Sequence, residues 1–452
     1  DDTTRSTSTS SSQPTILDVH YQQHEQLHAT TGDNVEVPYQ SRGIPDDYHH
    51  YQKRKVQKEP LIVETRTFAP SDSNKIKGIY GHCMCIRHET NMLYVYGGWV
   101  QNSARTDALL SLDLSQLDTV SNENSDENND ENHHLDTGEN VSSKKSEKPE
   151  LKVEWQVVEQ RGLVKPGPCS FASLIELNGC LILFGGYFHN SWVNDMWSFD
   201  LETQMWTKIE YRGRDIIPPR AAHSCNLTRN KTRMIVHAGF DGTKVLNDLW
   251  SFSFLEQEWT ELKNHNSVCH IEPTTCHSCV MSYDEERLVK FGGWDRTQYF
   301  SYLYEYDLNR CEWNQVKLKN MDCVPPQRWS HVSVMVKSMM DLEDRLVVML
   351  GSAQSYFSDC HIFDFGSKMW SEAKFQPPLE AQNSMTSVLT WDSRILLFGG
   401  RRKTEYINSL TELTIKNVAP LSMFHWTTIS RSTFKELMTK KFACDIDIIC
   451  QL

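Results

Sequence analysis

The sequence predicts an all-β fold, a six-bladed β-propeller, and three observations predict it. A small doublet closes an apolar run six times, at Gly97-Gly98, Gly185-Gly186, Ala238-Gly239, Gly292-Gly293, Leu350-Gly351 and Gly399-Gly400. From the second doublet onward the spacing is 53, 54, 58 and 49 residues, within the range of one four-stranded blade. A strand ring precedes the next tryptophan by nine residues in Trp197/Trp206, Trp250/Trp259 and Tyr304/Trp313, with His361/Trp370 in the same relation. Radial repetition requires such locked spacing, because every blade must present its neighbours the same surface at the same angle.

Each element along the chain follows from its residues. Residues 1–57 open with a Ser/Thr run and hold few large apolar side chains, a composition that stays disordered. The segment Leu61-Ile62-Val63-Glu64-Thr65-Arg66-Thr67-Phe68 is β-rich and alternating. The runs Leu93–Tyr96, Leu181–Phe184, Met234–His237, Leu288–Phe291, Leu346–Met349 and Ile395–Phe398 are strands that end on the doublets. Glycine there supplies backbone angles closed to other residues and leaves no Cβ where blades crowd. Ala238 is a small departure, whereas Leu350 predicts a locally altered fifth blade. The outer-strand tryptophans cover apolar area between blades.

Two interruptions complete the plan. Ser121–Asn140 carries seven carboxylates and no Lys or Arg, and reads as part of a disordered insert over about 116–150, extruded from the first blade at little closure cost. In the sixth unit the outer tryptophan would fall at Pro420, where proline removes a ladder hydrogen bond. The missing strand then comes from Leu61–Phe68, latching the two ends of the ring and removing two open sheet edges. The rival assignment makes Trp426 the sixth outer tryptophan. The propeller spans 58–417, and 418–452 is a short C-terminal helical tail beginning near Pro420.

With the doublets, Gly81-His82, Phe171–Gly186 and Pro218-Pro219-Arg220-Ala221-Ala222-His223-Ser224 in hand, the chain resembles the kelch-repeat β-propellers over roughly residues 60–415. Among them it resembles the tailed members that act as substrate receptors of cullin–elongin ubiquitin ligases. That resemblance implies an elongin-docking box at Pro420, Leu421 and Ile429, with His425 where the family carries a small residue. It implies elongin B/C and cullin-2 as partners, and a client captured through a short degron, including a protein C-terminus. Arg401, Arg402 and Arg328 are the candidates for gripping such a carboxylate; some of the resembling receptors carry their clamp arginines after the doublet of a middle blade, where this chain has Phe240 and Asp241, so only the general role carries over.

Function on a propeller belongs to its loops. Residues just past the doublets leave the sheet toward one face: Trp99, Tyr187, Phe240, Trp294, Ser352 and Arg401, the last followed by Arg402. The loops leading into the inner strands add Arg220, Arg328 and Trp329. Aromatic area and arginines make a peptide socket. The alternative function is a non-catalytic scaffold linking cytoskeletal or signalling proteins.

Other classes find no support. The net charge of −13 sits partly in the tails and no basic stripe invites nucleic acid. No apolar run approaches the ~18 residues of a membrane span. Thirteen cysteines without a framework of spacings suit reduced thiols in cytoplasm or nucleus. In Cys276-His277-Ser278-Cys279 the cysteines stand three apart on a strand, on opposite faces, which argues against a shared metal. Neither a nucleophile elbow nor a phosphate-binding loop is present, so the chain reads as a binding module without a cofactor. His82, His223, His277 and His331 recur at one point of successive units, which suits a structural role.

Overall fold

The computed structural model describes residues 61–72, 76–102, 104–119, 151–266 and 268–418. They form six four-stranded antiparallel blades. Blade one contains Cys83–Arg87, Met92–Tyr96, Leu109–Asp113 and Gln156–Val157. Blade two contains Ser173–Leu177, Cys180–Phe184, Met196–Asp200 and Met205–Ile209. Blade three follows with Ser224–Leu227, Arg233–Phe240, Val245–Ser253 and Glu258–Glu261, and blade four with Ser278–Met281, Arg287–Phe291, Leu303–Asp307 and Glu312–Gln315. Blade five is Val332–Lys337, Asp344–Met349, Cys360–Asp364 and Met369–Gln376. The inner strand of each blade packs against those of its two neighbours, and the inner strand of blade six returns to that of blade one.

Blade six draws on both ends of the ring. Thr386–Leu389, Ile395–Phe398 and Leu410–Ile415 supply three strands, and Leu61–Pro70 pairs antiparallel onto the last, from Val63 opposite Ile415 to Phe68 opposite Leu410. The latch expected from the alternating segment is therefore the fourth strand. Its far end also pairs in parallel with Leu151–Val153, placing Phe68 opposite Leu151.

The core lies between blades, and one apolar cluster fills each of the six interfaces. The ring preceding each doublet meets the outer tryptophan of the next blade. Tyr96 lies 5.3 Å from Trp206, Phe184 5.1 Å from Trp259, His237 5.1 Å from Trp313, Phe291 5.5 Å from Trp370 and Phe398 4.5 Å from Trp155. Between blades five and six both partners change: Met349 precedes the doublet, and the tryptophan position, opposite Leu413, is held by Thr65. The Thr65 hydroxyl donates to the Pro377 carbonyl at 2.8 Å.

At the axis one residue per blade adopts a left-handed backbone before the inner strand. These are Gly81, Phe171, Ala222, Cys276, Ser330 and Ser384, with φ between 49° and 64°. Their amides stitch consecutive blades together: Phe171 N donates to Gly81 O, Ala222 to Phe171, Cys276 to Ala222, Ser330 to Cys276 and Ser384 to Ser330, at 2.7–3.0 Å. Beside this belt the recurrent histidines reach the preceding blade. His82 Nε2 lies 2.7 Å from the Thr386 hydroxyl, His223 3.1 Å from Ser173, His277 3.2 Å from Ser224 and His331 2.9 Å from Ser278.

Two expectations change. Blade five is regular, with its register intact, because Leu350 takes the left-handed φ of a doublet glycine, 59°, and is buried in the same apolar cluster as Met385, which replaces the histidine of blade six. Residues 116–119, expected within the insert, form a helical turn whose Leu117 is fully buried. The N-terminal 57 residues, positions 120–150 and the chain from 419, including Trp426, lie outside the described residues.

Candidate functional site

The candidate site is the face onto which the doublets open. Each residue past a doublet turns back and pairs with the residue two before the inner-strand histidine position. Trp99 pairs with Tyr80, Tyr187 with Ser170, Phe240 with Ala221, Trp294 with Thr275, Ser352 with Trp329 and Arg401 with Asn383. The doublet makes this turn possible. A Cβ on Gly292, at φ 62°, would come within 2.7 Å of the Arg328 carbonyl in the next blade.

The pairing draws rings and cations into an arc over blades one to four. The Arg105 guanidinium stands 5.3 Å from the Trp99 ring and 4.4 Å from that of Tyr187, and donates to the Tyr187 carbonyl at 3.2 Å and to Asn190 at 3.0 Å. Tyr187 meets Trp192 at 4.8 Å, Trp192 meets Phe240 at 5.4 Å, and Arg296 caps Phe240 at 5.1 Å. Further round, Trp294 and Trp329 lie 5.1 Å apart with Tyr299 stacked beside them. Trp99, Arg105, Trp192 and Arg296 are partly exposed, whereas Tyr187, Phe240, Trp294 and Trp329 are buried. The exposed rim is thus aromatic and cationic over a packed aromatic layer, able to stack a peptide and pair with its acceptors.

The arginines divide differently from the expectation. Arg328 is not a clamp: it is fully buried, donates to both Asp359 oxygens at 2.7 Å, and also to the carbonyls of Leu350 and Pro326. Burial alone would raise the Asp359 carboxyl, but the hydrogen bonds from Arg328 and His361 and the Arg328 charge hold it well below the usual range. Arg220 repeats the arrangement with Asp248 and the Ala238 carbonyl. These two arginines hold the carbonyls of the two doublet positions that carry a side chain. Arg401 is buried between Tyr80 and Tyr406, at 5.7 and 6.0 Å, with its Nε donating to the Lys403 carbonyl at 2.7 Å. Arg402 is partly exposed and pairs with the exposed Glu380 at 2.6 Å.

Sequence reasoning missed Arg105, Trp192 and Arg296. Their signal was positional, since each falls a few residues past a doublet, on the loop that returns toward the third strand. Pro420, Leu421, His425 and Ile429 lie outside the described residues. Among the described residues no group of three or more histidines, cysteines or carboxylates is arranged to hold a metal ion, and no helix is long and apolar enough to cross a membrane.

Comparison with known proteins adds the following. The KLHDC2/KLHL20/DRC7 Kelch-repeats domain model matches residues 63–270, 151–342, 214–400 and 288–438. The chain is similar to the leucine-zipper-like transcriptional regulator 1 homolog of Drosophila melanogaster, 27% identical over 220 residues that cover 46% of this chain and 21% of that protein. It is similar to kelch domain-containing protein 10 of Homo sapiens, 22% identical over 191 residues, 40% of either chain. It also resembles an N-(sulfonatooxy)prop-2-enimidothioate sulfolyase of Thlaspi arvense, 24% identical over 267 residues, 55% of this chain and 75% of that enzyme. The matched region spans about a fifth of the length of the leucine-zipper-like relatives.

Proposed function

The chain belongs to the kelch-repeat family of protein-interaction β-propellers, and from that premise we propose that it is a non-catalytic substrate receptor of a cullin-RING ubiquitin ligase built on elongin B/C and cullin-2. The doublet face captures a short peptide of the client, and the tail joins the ligase. The observation that carries the capture step is the partly exposed rim of Trp99, Arg105, Trp192 and Arg296 over a buried aromatic layer. Rigid rings give contact area at small entropic cost, and guanidinium groups beside them fix the orientation of a peptide's acceptors. The Pro420-Leu421 box in the sequence supports the ligase step. A client ending on this face would meet Arg402, whose present partner Glu380 is exposed and displaceable.

Purification of the tagged full chain with and without Leu421→Asp, followed by mass spectrometry, tests the reading. Elongin C should accompany the wild type and be lost from the variant, and its absence from both rejects the ligase role. Trp99→Ala and Arg105→Ala should lose clients while retaining elongin C. Clients recovered unchanged with both substitutions reject the doublet face.

A further inference from the structure

The strands run between two faces, and the doublets open onto one of them. At the other end lie the turns that join the first and second strands of each blade. There His88, Glu89 and Asn91 of blade one, Asp118, Lys231 of blade three, and Trp391, Asp392 and Arg394 of blade six line a cavity of 580 Å³. That is within the range of cavities that seat small molecules or side chains.

The walls sort by chemistry. One is aromatic: Trp391 is 42% exposed and its ring lies 5.4 Å from that of His88. Burial, outweighing the neighbouring Glu89 and aided by Lys231, brings the His88 pKa down to about 4, so this ring is uncharged at neutral pH. The cations face inward. The Lys231 side chain is 8% exposed and is held by Glu176 at 2.9 Å and Glu89 at 3.3 Å. Arg394, 14% exposed, is gripped by Asp118, Asp392 and Glu412 at 2.8–2.9 Å. The carboxylates face outward, with Glu89, Asp118 and Asp392 exposed by 57%, 61% and 55%. A carboxylate offers about four lone-pair sites, so its bond from within leaves capacity toward solvent.

We propose that this cavity binds a basic side chain, arginine or lysine, of a partner polypeptide, laid against Trp391 and ringed by Glu89, Asp118 and Asp392. A cation is attracted to the indole face, and charge-assisted hydrogen bonds to the three carboxylates fix it. The same rim repels phosphates, which turns away nucleic acid and acidic lipid. Lys231 holds Glu89 in place, and Arg394 holds Asp118 and Asp392; against the opposing effect of burial, the two cations help bring Glu89 and Asp392 below the usual carboxylate range. This site is separate from the doublet face and does not depend on the ligase reading.

Calorimetry on the full chain tests it, with an acetylated and amidated glycine–arginine–glycine peptide as probe and its glutamate and citrulline counterparts as controls. The arginine peptide should bind, weaken as salt rises, and outcompete both controls. Trp391→Ala should weaken it by about tenfold or more, the scale of a desolvated cation–π contact, as should Glu89→Gln combined with Asp118→Asn. Trp99→Ala, on the opposite face, should leave it unchanged. Should Trp391→Ala fail to fold, the carboxamide pair carries the test. No binding of the arginine peptide, equal binding of the citrulline peptide, or affinity unaffected by these substitutions would overturn the proposal.

Discussion

Replacing Arg328 with alanine would strand Asp359 and the Leu350 carbonyl among buried neighbours, and should cost about 3 kcal/mol of stability, read as a shift in urea midpoint. A stability unchanged by the substitution would contradict the structural role assigned to it. The same scale explains why the sequence misled at this position. Arg328 and Arg402 look alike in a list of residues near loops, but the partner that occupies Arg328 stands 31 residues away and only the folded blade brings it within reach. Glycine at the doublets makes a second test. Gly292→Ala places a methyl 2.7 Å from the Arg328 carbonyl at a left-handed φ, so it should destabilise by more than about 1 kcal/mol, whereas Ala238→Gly should change the midpoint far less.

At the scale of strands, the seam between blades five and six differs from its five counterparts. Thr65 and Met349 replace a tryptophan and a ring, so this joint relies on aliphatic packing, the Thr65 hydroxyl and the ladder from Val63 to Phe68. Removing residues 1–70 takes away that fourth strand and leaves Leu410–Ile415 as an open edge, ready to pair with another molecule. Size-exclusion chromatography with light scattering should then show higher oligomers, and a monodisperse monomer of unchanged melting temperature would refute the seam. Blade existence and order were legible because the doublets and phased tryptophans are local signals, and the latch because alternation is visible over Leu61–Phe68. The candidate rim was only half legible: exposure of Trp99 and burial of Tyr187, Phe240 and Trp294 depend on loops folding over one another, which no spacing announces.

Across the whole molecule, the histidines tie the ring's stability to pH. Burial lowers His82, His223 and His331 from the ordinary 6.5 to about 3, and His277 and His237 move in the same direction. The unfolded chain therefore takes up protons that the folded ring refuses. The contribution of these histidines is complete above about 6.5 and is lost as pH drops from there toward 3, by at most about 1.4 kcal/mol per pH unit for each of His82, His223 and His331. Urea titrations at neutral and mildly acidic pH check this, and a midpoint that rose on acidification would be incompatible with neutral buried imidazoles. Closure by Leu61–Pro70 has a further consequence for biosynthesis. On the ribosome the first strand of the ring waits for Leu410–Ile415, the ring's last strand to be translated, so that pairing edge stays unsatisfied while the intervening blades are made. A nascent chain of this kind is a natural client for chaperones that shield exposed strands until the sixth blade emerges.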